Sequence, residues 1–244
     1  AITNTFPEVA TRKLADHGDL TLNDTGKNLS REALKQLAGK SQALITYLTD
    51  PIDREIIEAG TNLKIIANYG AGYNNIDVAT ATQKSVWVSN TPGVLHETTA
   101  DLTLALILGM ARRIVEGDRF TRQGKFKGWE AKMFLGNDVY GKTLGVIGCG
   151  EIGRAVARRA VGFNMKVLYH QRHRLPQEEE TRLNAEYATL ETLLKNADYV
   201  TLHVPLTAET KYMIGQDQLR QMKNTAYLIN TARGKVVDDK AMIT

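Results

Sequence analysis

The chain has 244 residues, 43% hydrophobic and 24% charged, which excludes a disordered or fibrous class and leaves room for one or two packed cores. The net charge of +4 is mild. Part of it gathers in Arg112, Arg113, Arg119, Arg122, Lys125 and Lys127, a run that matches no recognisable nucleic-acid motif. It reads as a solvated helix face followed by a loop, so no nucleic-acid partner is expected. Cys149 is the single cysteine, which excludes an internal disulfide framework and fits a reducing cytoplasm. The longest apolar stretch, Leu102 to Ala111, is too short for a bilayer and contains Thr103 and Gly109, so no membrane partner is expected. The chain opens at Ala1-Ile2-Thr3, which looks like the tail of a first strand, and both ends look cut.

Strand and helix signals alternate through the first half. Asp19 to Leu22 is a short strand candidate, and Ser30 caps a helix over Arg31 to Leu37. Ala43 to Leu48 reads as a strand buried on both faces. Asp50-Pro51-Ile52-Asp53 starts a helix that turns Ile56 and Ile57 inward and stops at Gly60. Leu63 to Asn68 and Val86 to Ser89 are further strands. After Thr91-Pro92-Gly93 a long helical pattern, Glu97 to Glu116, is apolar on nearly every side, so it must be buried in a core or against another subunit. The second half predicts strands at Thr143 to Ile147, Lys166 to His170, Tyr199 to Val204 and Ala226 to Asn230. Its predicted helices are Ile152 to Gly162, Leu190 to Asn196 and Asp217 to Met222. This alternation predicts an α/β fold of two doubly wound parallel-sheet domains, 1–92 and 93–244.

Gly148-Cys149-Gly150-Glu151-Ile152-Gly153 follows a strand signal and opens a helix. There the pattern has a mechanism: Gly148 permits the turn, Gly150 lets backbone approach a pyrophosphate, and Gly153 lets helix pack on strand. The helix start offers unpaired N–H groups and a positive dipole end to the anion. An acid at the end of the next strand would select NAD, yet the chain reads Gln171-Arg172-His173-Arg174 with no acid before Glu178. Guanidinium groups suit a 2′-phosphate, so NADP is expected ahead of NAD. No histidine stands at a metal-ligand spacing, and no metal is assigned. Arg233 follows the last strand signal, where ligands of open α/β sheets bind, and can hold a carboxylate while polarising a neighbouring carbonyl.

Gly148 to Gly153, Leu202-His203-Val204-Pro205-Leu206-Thr207 and Asn230 to Asp238 resemble signatures of the D-isomer-specific 2-hydroxyacid dehydrogenases. Asn68 to Asp77 is similar to the substrate loop of their glyoxylate/hydroxypyruvate reductase branch. Thr91 to Leu95 and Thr98 to Asp101 resemble the family's hinge and nicotinamide-side segment. The resemblance implies a flavodoxin-like substrate domain at 1–92 and a Rossmann domain at 93–244, incomplete at its C-terminus. It implies NAD(P)H-dependent reduction of a short 2-oxo acid to the D-2-hydroxy acid. Arg233 would be the catalytic arginine, and backbone N–H groups of Ala71 and Gly72 would cradle the substrate carboxylate. Glu151 and Ile152 would lie against the pyrophosphate, with Gln171 to Arg174, among them Arg172, against the adenosine ribose. Pro205, Thr231 and Ala232 would line the cofactor cleft, with Thr99 near the nicotinamide, and the long apolar helix would form part of a homodimer interface. The family's proton donor, a histidine held by a glutamate, would lie beyond Thr244, so this stretch alone is expected to be inactive. Two rivals remain on the same scaffold: a dinucleotide-binding corepressor without turnover, and a formate or phosphite dehydrogenase.

Overall fold

The computed structural model describes residues 1–243, which divide into two compact units, 1–94 and 95–243. In the first, helix α1 (Glu8–Ala15) precedes α2 (Arg31–Gly39), where Ser30 Oγ accepts the Ala33 N–H at 3.2 Å and caps the helix start. Strand β1 (Ala43–Thr46) leads to α3 (Arg54–Ala59), whose first free N–H groups are taken by the Asp53 carboxylate. Then come β2 (Ile65–Asn68), α4 (Val78–Gln83), capped by Asp77, and β3 (Trp87–Ser89). The strands pair in parallel in the order β1-β2-β3. Single bridges from Ile2 to Ile45 and to Leu22 extend the pairing, so the expected Asp19 to Leu22 strand is reduced to one bridging residue. Leu34, Leu44, Ile56 and Ile66 close the core, each almost fully buried. Burying such side chains contributes roughly 2 kcal/mol apiece.

The second unit opens with α5 (His96–Ala111) and α6 (Ile114–Arg122). The single long helix expected over this stretch is broken at Arg113, which adopts a left-handed conformation at φ 54° and redirects the chain. Nor is the helix buried all round: Ala100, Thr103, Leu104, Ile107 and Ala111 are buried, while Leu102, Leu106 and Met110 are exposed at four-residue spacing. Strand β4 (Thr143–Ile147) runs into α7 (Glu151–Ala160), followed by β5 (Lys166–His170) and α8 (Gln177–Leu183). Next come β6 (Ala185–Tyr187), α9 (Leu190–Asn196) and β7 (Tyr199–Leu202). Helix α10 (Gln216–Gln221) and β8 (Tyr227–Asn230) complete the unit. Helix α8 and the three-residue β6 carry no signal strong enough to read from sequence.

All five strands are parallel, in the order β6-β5-β4-β7-β8, so every carboxyl end meets one edge and the order reverses between β4 and β7. Alternation along the strands feeds two cores. Leu144, Val146, Val167, Tyr169 and Tyr199 pack with α5 and α7. Ile147, Leu168, Val200 and Leu202 pack with Leu193 and Leu194 of α9 on the other face. Helices therefore cover both sides, which is the doubly wound arrangement. A side chain at Gly145 would meet Leu193 Cδ2 at 2.5 Å, so only glycine lets α9 seat there.

Candidate functional site

The turn between β4 and α7 fits a pyrophosphate on its own geometry. Gly148 has φ 91°, and a Cβ there would meet the His203 carbonyl carbon and the Val204 nitrogen, each at 2.8 Å. At Gly153 a Cβ would fall 2.2 Å from Gly148 O, so helix and turn approach as closely as backbone allows. A Cβ on Gly150, by contrast, would enter open space, the space a phosphate would occupy. No side chain caps α7, and its first turn, Glu151, Ile152 and Gly153, leaves its N–H groups directed at that space. Cys149 is fully buried beneath the turn, with its N–H bound to Gln171 Oε1 at 3.2 Å.

A cleft of about 440 Å³ opens at this reversal of strand order. Gly148, Gly150, Gln171, Arg172 and Pro205 line it among the residues expected from sequence. His203, Thr207, Glu209, Thr210 and Met213 line it too, and the last three carry no signal in the sequence. The remaining expected residues do not line it. Arg174 is the clear correction: its guanidinium grips the buried Glu180 through Nε and Nη2, each at 2.8 Å, so its fork is committed to the protein. Tyr169 Oη donates to the same carboxylate at 2.6 Å. The Arg174 guanidinium, then the tyrosine hydroxyl, hold the Glu180 carboxyl down to about 2. Arg172, exposed to solvent, lines the cleft instead.

Beside the cleft a chain of hydroxyls has a defined direction. Thr103 Oγ1 lies 2.9 Å from Thr99 O, which can only accept, so the Thr103 proton goes there. Thr231 Oγ1, 3.2 Å away, must then donate to Thr103, and His203 Nδ1, 3.2 Å from Thr231, must donate in turn. His203 is thereby held as the Nδ1–H tautomer, and burial pushes its pKa down to about 4, so it is neutral at physiological pH and no reservoir of protons. Thr99 keeps its own hydroxyl on Leu95 O at 2.8 Å. Ala232 N–H donates to Asn230 Oδ1 at 3.0 Å, and Arg233 Nη1 donates to Ala232 O at 2.9 Å. Arg233 follows β8, so it stands at the same carboxyl edge as the glycine turn, with β7 between their strands, a lateral offset of about 10 Å.

In the first unit, Ala71 and Gly72 lie in the loop after β2. Their N–H groups, and that of Tyr73, have no hydrogen-bond partner among the described residues. Tyr73 is not anticipated by the sequence, because nothing about a tyrosine side chain announces a free backbone donor.

Residues 104–244 match the NAD binding domain of the D-isomer specific 2-hydroxyacid dehydrogenases. Over 242 residues the chain is 50% identical to a glyoxylate reductase of Korarchaeum cryptofilum, spanning 99% of this chain and 73% of that protein. It is 48% identical to a glyoxylate reductase of Pyrococcus horikoshii, again over 99% and 73%. Among solved structures, the TT0316 protein of Thermus thermophilus superposes with a TM-score of 0.90 at 42% identity, over 99% of this chain and 76% of that one. The chain belongs to the D-isomer specific 2-hydroxyacid dehydrogenase family. As a member it is an oxidoreductase that works on 2-oxo and 2-hydroxy acids with a nicotinamide dinucleotide. The corepressor and formate or phosphite readings are not favoured. No described helix is long and apolar enough to cross a membrane.

Proposed function

We propose that this dehydrogenase reduces glyoxylate or hydroxypyruvate to the D-2-hydroxy acid in the cytoplasm, with NADPH preferred over NADH. The observation that carries the substrate class is the run of relatives named glyoxylate reductase at 48–50% identity along nearly the whole chain. In this reading residues 1–92 bind the substrate and 93–244 the dinucleotide. Ala71 and Gly72 N–H groups hold the carboxylate, which suits a loop whose donors have no internal partner. Arg233 holds the oxo acid and stabilises charge developing on the carbonyl oxygen. The reduced nicotinamide supplies the hydride that C2 receives. Glu151, Ile152 and Gly153 offer backbone N–H groups to the pyrophosphate, while Gln171 and Arg172 meet the adenosine ribose. Pro205, Thr231 and Ala232 flank the nicotinamide half, with Thr99 behind them.

The NADP preference rests on Arg172 alone, since Arg174 is engaged by Glu180. The exposed row Leu102, Leu106 and Met110 supports a homodimer in which a second copy covers it, and light scattering on the full-length protein checks this. The function is tested by mixing full-length enzyme with NADPH and glyoxylate, hydroxypyruvate or pyruvate and following absorbance of the reduced cofactor. Turnover highest with the first two agrees with the reading. Oxidation of formate without reduction of any 2-oxo acid removes it.

A further inference from the structure

Three successive carbonyls in the loop after β2 are held from behind. Gly70 O accepts the Thr91 N–H at 3.0 Å, Ala71 O accepts Asn90 Nδ2 at 2.7 Å, and Gly72 O accepts Asn68 Nδ2 at 2.7 Å. These peptide bonds are trans, so each N–H points opposite to the carbonyl of its own peptide plane. Fixing those three oxygens therefore fixes the N–H groups of Ala71, Gly72 and Tyr73, the same three that lack partners among the described residues. Three free donors in a row, each locked by a bond on the far side of its own peptide, form a preorganised anion cradle.

The two amides are anchored differently. Asn68 ends β2, is only 2% exposed, and accepts from Thr46 Oγ1 at 3.2 Å through its own Oδ1. It belongs to a buried polar network in which Asn75 Nδ2 donates to Tyr47 O at 2.9 Å and to Asp50 O at 3.1 Å. Asn90 follows β3, is half-buried, and reaches across to Ala71. Removing its amide frees one peptide plane without opening the core.

We infer that Asn90 is a positioning residue for carboxylate recognition: its amide sets the tilt of the Ala71–Gly72 peptide and so the aim of the Gly72 N–H. This rests on the reading of the loop as the substrate cradle. It adds Tyr73 N–H as a third donor and Asn68 as the group that aims it. Asn90→Ala leaves the Ala71 carbonyl without its donor, and the plane can rotate away. Asn90→Asp puts a carboxylate oxygen where a donor stood, so it repels the same carbonyl and perturbs the plane more.

The test uses the full-length enzyme with saturating NADPH. Asn90→Ala raises KM for glyoxylate about tenfold, with kcat lowered less and the dinucleotide Kd unchanged, as expected for one lost hydrogen bond. Asn90→Asp raises KM further. A second readout follows the amide resonances of Ala71, Gly72 and Tyr73 during titration with oxamate, a carboxylate-bearing analogue that is not reduced. All three move in the wild type, and the Gly72 response shrinks in Asn90→Ala. A KM within twofold of wild type, or an equal Gly72 response in the variant, overturns the role of Asn90 and leaves the parent reading intact. If none of the wild-type amides moves, the cradle and this inference fall together. Loss of the folded state in both variants also overturns it, because Asn90 would then be structural.

Discussion

The glycine turn after β4 and the loop after β2 both offer a row of unpaired backbone N–H groups, yet they are held by opposite means. The turn is fixed by crowding: Gly148 and Gly153 sit where a single added carbon would strike backbone within 3 Å, and α7 aims the donors from its own first turn. The loop contains no helix start. Two of its three donors are aimed by amide side chains arriving from Asn68 and Asn90, at the ends of β2 and β3, and the first by the Thr91 backbone N–H. Removing side chains makes one cradle, and supplying them makes the other. A pyrophosphate, large and doubly charged, suits a helix terminus with space at Gly150, whereas a small carboxylate needs individual donors set at fixed tilts.

The sharpest division of labour predicted is at Arg233. Arg233→Ala lowers kcat about 10²–10³-fold, the scale of losing a charged donor at a developing oxyanion, with the dinucleotide Kd nearly unchanged. Unchanged turnover removes Arg233 from the reaction. Gly153→Ala attacks the turn by adding a carbon 2.2 Å from Gly148 O. It costs about 1–3 kcal/mol of strain and weakens NADPH binding by tenfold or more in calorimetric titration. Wild-type affinity there would show that the turn is not confined by crowding.

Arg172→Asp shifts preference from NADPH towards NADH by roughly tenfold in the ratio of kcat/KM, as one charge-assisted contact is lost and a repulsion gained. Arg174→Gln leaves that ratio within twofold, because this guanidinium already serves Glu180. Equal shifts in the two variants would break the distinction. The smallest effect concerns acid. Glu180 is held at about 2 against an ordinary 4.5, so its share of stability is complete above about 4.5 and fades as pH falls towards 2. Thermal melts of Glu180→Gln against wild type should differ most at neutral pH and converge in that window. Parallel curves at every pH would remove Glu180 as the cause.

The glycine turn is legible in sequence because each constraint acts within six residues of the strand end, through contacts that only glycine satisfies. The five strands of the second unit are legible in part: four carry apolar runs, while β6, three residues long, does not. The loop donors at Ala71 and Gly72 are reached through resemblance, but what fixes them is not, since Asn90 and Thr91 lie some twenty residues downstream and an asparagine near a turn has many uses. The role of Arg174 escapes a sequence reading for a related reason. Glu180 lies in the first turn of α8, and only the start of that helix brings it back under the arginine. The break at Arg113 is hidden because a left-handed arginine has no compositional mark.

One sulfur atom lies directly under the glycine turn, at a helix start, a place where reactive thiols are often found in other folds because helix dipoles favour the anion. Here packing wins over the dipole: enclosure in the core pushes the Cys149 thiol up to about 11, leaving roughly one molecule in 10⁴ ionised at neutral pH. The cysteine is therefore chemically silent. Iodoacetamide and dilute peroxide should pass it by while the protein stays folded, and this chain can be handled without added reductant.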